Sequence, residues 1–94
     1  MTEPEPLDAE EAPPSAEPRE TTVFPYGREP LLWVRTGGAW RWAIVRAKHT
    51  YADGRVAVQT EVTMPTPDGP DGNFVRTYWW NPDRMRVIRG PVAT

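Results

Sequence analysis

The chain has 94 residues, 38% of them hydrophobic and 26% charged, with a formal net charge of −2, five tryptophans and no cysteine. That length admits one domain, and the lack of cysteine excludes disulfide staples and thiolate metal sites. A short body must then draw its stability from aromatic burial, each indole withdrawing roughly 150–250 Å² from water.

Residues 1–20 hold seven acids against one base, five prolines, and only Met1 and Leu7 as sizeable apolar side chains. Such a segment buries too little surface to offset its ordering entropy, so residues 1–22 are expected to form a disordered, acidic, proline-rich tail. Residues 21–94 carry ten bases against six acids, which joins a segment near −6 to a body near +4. No apolar run approaches the roughly 20 residues that cross a bilayer, and the N-terminus lacks the basic start and apolar stretch of a secretory signal, which points to the cytoplasm. Arginine outnumbers lysine ten to one, a bias that suggests a GC-rich bacterial genome.

Along the chain, Val23-Phe24-Pro25-Tyr26-Gly27 opens the body as an edge or hook, because proline cannot donate to a strand ladder. Leu31–Thr36 reads as a first strand, closed by the turn residues Gly37-Gly38. A long second strand runs from Trp40 to His49 and stops at the Asp53-Gly54 hairpin signal. In the third, Val56, Val58, Thr60 and Val62 alternate with Arg55, Ala57, Gln59 and Glu61 at the period of a half-buried strand. Met64–Asn73, with three prolines and two glycines, is expected to be a long mobile loop. Phe74–Trp80 gives a fourth strand, Asn81-Pro82-Asp83 a turn, and Met85–Ile88 a brief last strand. A body at 23–90 and a C-terminal tail at 91–94 complete the division.

Five short strands with tight turns and a one-turn element before the last are the order of an SH3-like small barrel, so the expected fold is an all-β, five-stranded SH3-like barrel behind a disordered N-terminal tail. The stretch Trp40-Arg41-Trp42-Ala43-Ile44-Val45 resembles the W-x-x-A-x-V pattern of Tudor-type barrels, and the likeness covers about 31–88. That resemblance implies a binding fold whose relatives grip methylated lysine or arginine in an aromatic cage; no residue is carried over as a cage member.

Catalytic chemistry finds little footing. There is no cysteine, one serine (Ser15), one histidine (His49), no phosphate-binding glycine loop and no dinucleotide fingerprint. Asp53, Asp68, Asp71 and Asp83 fall at turns, Glu29 precedes a proline and Glu61 lies on the wet face of its strand. The expectation is a protein that is not an enzyme and takes no cofactor or metal.

Aromatic and arginine residues together remain. Strand two has one set of Ala43, Val45 and Ala47 and another of Trp40, Trp42, Ile44, Arg46 and Lys48, and only one set can face inward along an unbulged strand. With the smaller residues inside, and Val75, Thr77 and Trp79 inward on strand four, the outer face carries Trp42, Arg46, Arg76, Tyr78 and Trp80 as the candidate partner-binding residues. Trp33, Trp40 and Trp79 are then core candidates. The alternative is that Phe24 and Tyr26, or the 64–73 loop, cover those rings as a second small core. The first functional expectation is a protein- or peptide-binding module, with the tail segment Glu11–Pro18 able to compete for its face. The second is a single-stranded nucleic-acid-binding barrel, with arginines on phosphates and indoles stacked on bases.

Overall fold

The computed structural model describes residues 7–90; residues 1–6 of the expected tail and the expected C-terminal tail at 91–94 lie outside the described residues. Within them the chain forms β1 (Glu20–Val23), β2 (Leu31–Thr36), β3 (Ala39–Thr50), β4 (Val56–Thr66), β5 (Gly69–Trp79) and β6 (Met85–Arg89). Gly37 and Gly38, at φ of 59° and 77°, supply the left-handed backbone that turns β2 into β3. The β3–β4 turn is closed by Gly54 at φ 88° and by Asp53, whose carboxylate accepts the Arg55 amide at 2.9 Å.

Consecutive strands pair antiparallel in the order β5-β4-β3-β2-β6, and β1 pairs with Ala47–Thr50 of β3, beyond the stretch that β2 occupies. The fold is all-β, as expected, but has six strands rather than five, and its terminal strands β5 and β6 do not pair, so the sheet does not close into a barrel. At 12 residues β3 is long enough to hold two partners along one edge, which accounts for the extra strand.

A second difference concerns Met64–Asn73. In place of a long loop, β4 and β5 continue as a hairpin, pairing from Ala57↔Trp79 out to Thr66↔Gly69. Pro65 sits at a register shift between Met64 and Thr66, where β3 no longer pairs with β4, so its missing N–H breaks no ladder on that side. The turn before β6 is as expected, with the Arg84 amide bonded to the Asn81 carbonyl at 3.0 Å.

The core joins Leu32, Val34, Ala43, Val45, Val58, Val62, Tyr78 and Met85. β3 therefore turns Ala43, Val45 and Ala47 inward, as its alternation suggests. β5 has the opposite parity to that expected: Tyr78 is 2% exposed inside and Val75 is exposed. Because β3 and β4 offer the interior mostly alanine, valine and threonine, a small-residue face on β5 would leave it underfilled; Tyr78 supplies the volume. Trp33, Trp40 and Trp79 are not core. Trp33 is 43% exposed, and Trp79 packs against the Tyr51 ring at 4.9 Å beneath the Arg55 guanidinium at 3.7 Å.

Part of the segment expected to be a disordered tail is hydrogen-bonded to the body. Ala9 is buried, its amide donates to the Arg35 carbonyl at 2.7 Å, and Glu10–Ala12 pairs with the edge of β5 through Trp79 N–H to Glu10 O at 2.8 Å and Ala12 N–H to Thr77 O at 2.9 Å.

Candidate aromatic interaction face

On β2 the alternation Leu32, Val34, Thr36 points inward, so Trp33 stands on the outer face with Arg35. Antiparallel register places Trp33 opposite Trp42 on β3 and opposite Arg86 on β6. Cross-strand partners share a face, and the two indoles lie side by side at 43% and 53% exposure. Trp40, two residues from Trp42 along β3 and so on the same face, lies beneath the Arg86 guanidinium, which is 4.7 Å from the ring centroid. Trp33, Trp40 and Arg86 together line a shallow depression of about 350 Å³. The result is an apolar, π-rich face with a cation at its edge, of the kind in which binding hot spots concentrate.

The five sequence-derived candidates do not form one surface. Trp42 belongs to the face just described. Arg46 is engaged by two carboxylates, donating to Glu61 Oε2 from Nε at 2.7 Å and to Glu29 Oε1 from Nη1 at 3.1 Å. These partners hold its charge more firmly, with the hydrogen bond to Glu61 as the largest cause, and the same bond followed by that from Asn73 holds the Glu61 carboxyl below the ordinary carboxylate range. Arg76 is paired with Glu11 of the N-terminal segment at 3.3 Å and lies 5.0 Å from the Phe74 ring centroid.

Tyr78 is the clear departure from the expected outer face. It is interior, its hydroxyl bonded to that of Thr36 at 2.7 Å, and burial pushes its pKa up. Trp80, 40% exposed, stands at the mouth of a different recess, an apolar cavity of about 330 Å³ that it shares with Phe24, Leu32, Val58, Val87 and the single cation Lys48. Neither Phe24 nor Tyr26 closes over Trp42: Phe24 packs on the core near Trp80, and Tyr26 is 92% exposed.

Sequence reasoning missed Trp33, Trp40 and Arg86 as members of the face. A signal was present in β2, where Trp33 shares parity with Arg35 while Leu32 and Val34 take the other. The acidic segment reaches Arg76 through Glu11 and runs along β5. His49 accepts or donates one bond with Thr21 at 2.9 Å, and among the described residues no three of His, Cys, Asp and Glu converge to hold a metal ion. Among the same residues no helix is long and apolar enough to cross a membrane. Comparison with family models, with curated proteins and with solved structures finds no match to this chain.

Proposed function

We propose that the chain is a non-catalytic cytoplasmic binding module of SH3-like, Tudor-type architecture that receives a protein or peptide segment on the Trp33–Trp42 face, with Trp40 and Arg86 at its margin. The observation that carries this reading is the pair of adjacent half-exposed indoles, aligned across β2 and β3 beside a cation. Large aromatic area held rigid on a sheet loses little entropy on binding, which makes it suited to anchoring an extended segment. The run of antiparallel hairpins and the turn at Asn81–Arg84 before the last strand support the architectural part of the reading.

Peptide display on the immobilised full chain tests it. Selected peptides should bind the native chain and lose at least roughly 30-fold in affinity with Trp42→Ala, the factor that corresponds to a hot spot of about 2 kcal/mol. A library yielding no peptide sensitive to Trp33→Ala or Trp42→Ala defeats the proposal.

The same two rings beside Arg86 also suit unpaired bases, with indoles stacking at about 1–3 kcal/mol each. Titration with single-stranded oligonucleotides at graded salt separates the readings. Affinity that falls steeply with salt and depends on Trp42, in the absence of any selected peptide, assigns the face to nucleic acid.

A further inference from the structure

We propose that the slot between the edge of β5 and Arg35 of β2 is an exchangeable strand site, and that the partner it fits is the Asp8–Ala12 segment of a second copy of this chain. The slot is built for an extended acidic strand. It offers backbone groups on two sides: Arg35 O accepts from Ala9, while Trp79 N–H and Thr77 O bond Glu10 and Ala12. It also offers a cation to two of the segment's three acids, Arg35 3.6 Å from Asp8 and Arg76 3.3 Å from Glu11.

The Arg35 Nε is buried and makes no hydrogen bond, so the Asp8 carboxylate is the negative charge that matches a largely desolvated guanidinium. Asp8 further accepts the Gly38 amide at 3.2 Å, and Ala9 enters the core cluster beside Tyr78. A vacated slot would therefore expose strand edge, orphan a buried cation and open the core at Ala9.

Attachment of the segment to the rest of the chain is slight. Residues 13–18 read Pro-Pro-Ser-Ala-Glu-Pro, and their backbone makes one internal turn, Ala16 N–H to Pro13 O at 3.0 Å, before Arg19 N–H reaches Thr50 O. Pro13, Pro14, Ala16 and Pro18 of this hinge line a cleft of about 340 Å³ together with His49, Tyr51 and Val75. Pro14, at the second position of that turn, presets its φ for bending, while the flanking Pro13 and Pro18 favour extended backbone, so the hinge has a bent and a straight form. A second copy can supply the same acids, the same alanine and the same backbone bonds with its hinge straightened. Exchange then conserves every contact in the slot and gives up only the one turn bond, while closure within one chain keeps the advantage of high effective concentration.

The absence of cysteine allows a direct test. Ala12 and Thr77 face each other across the segment, so the double variant Ala12→Cys/Thr77→Cys should close a crosslink within one chain under oxidising conditions. Mixing the single variants Ala12→Cys and Thr77→Cys at high concentration should give a covalent heterodimer in several-fold excess over either homodimer. Deleting residues 14–17, which leaves too little chain to turn back, should convert the protein to a dimer by light scattering. Failure of the double variant to close overturns the slot. Closure of the double variant with no heterodimer excess, and a deletion variant that remains monomeric, overturns exchange.

Discussion

The Tyr78 hydroxyl lies 2.7 Å from the Thr36 hydroxyl, tying β5 to β2 across the interior, although the two strands are separated in the sheet by β4 and β3. Tyr78→Phe keeps the ring and leaves Thr36 without that partner, and should cost about 1–2 kcal/mol. Tyr78→Ala empties a core position and should cost about 3–5 kcal/mol. Urea unfolding midpoints measure both, and equal losses in the two variants would show that the ring is not packed as described.

The same residue sets an alkaline limit. Burial, the largest cause, raises the Tyr78 pKa above its ordinary value of 10.0, with the Thr36 bond opposing the shift. In the unfolded chain the phenol ionises at lower pH, so the stability held by neutral Tyr78 is complete below about 10 and falls as pH rises toward the folded value. Stability measured from pH 8 to 11 should decline at the top of that range in the native chain and decline less in Tyr78→Phe. Parallel curves would contradict it.

A second pH dependence runs the other way. Glu61 is held below the ordinary carboxylate range by Arg46 first and Asn73 second, so the stability it contributes is present above that range and is lost as pH falls through its lowered value. Native chain and Glu61→Gln should differ at neutral pH and converge in acid. Arg46→Ala should be more severe than Glu61→Gln, because it also leaves the buried Glu29 carboxylate with only the Gly27 amide, at a cost of about 1–3 kcal/mol by thermal or urea unfolding.

What was legible in the sequence follows from which residues have a single local solution. Gly37-Gly38 and Asp53-Gly54 permit few alternatives to a tight turn, and Val58, Thr60 and Val62 share the interior parity, so these hairpins and the third strand read directly, whereas Ala57, expected on the wet parity, is fully buried. β5 offers aromatics on both parities, and its orientation is decided by the volume left by small residues on β3 and β4, which is a property of the assembled interior. The prolines of 65–70 read as loop because the tolerance of a strand for proline depends on which edge lacks a neighbour. Asp8–Ala12 has no apolar pattern at all. Its strand pairing comes from a free β5 edge and from Arg35 and Arg76, none of them local to it.

Trp33 and Trp42 should separate stability from binding. As an outer cross-strand pair they contribute to the sheet about 0.2–1 kcal/mol, so Trp33→Ala or Trp42→Ala should unfold near the native midpoint. The same substitutions should abolish capture of peptides selected on the face. Losing several kcal/mol of stability on either substitution would instead make the pair a structural element and leave the face without its anchor.

Ala9→Glu tests whether the N-terminal segment is part of the fold. A carboxylate at this buried position cannot share the interior with Val34 and Tyr78, so the segment should leave the slot. Its departure frees the Trp79 amide from Glu10 and removes the acids paired with Arg35 and Arg76, while the hairpins of β2 to β5 keep their own ladders. Hydrogen exchange should therefore speed up at Trp79 and Ala12, with protection retained in the middle of β3 and β4, and the loss of stability should be about 1–3 kcal/mol. Unchanged exchange at Trp79 would mean that the segment is not what protects the edge of β5.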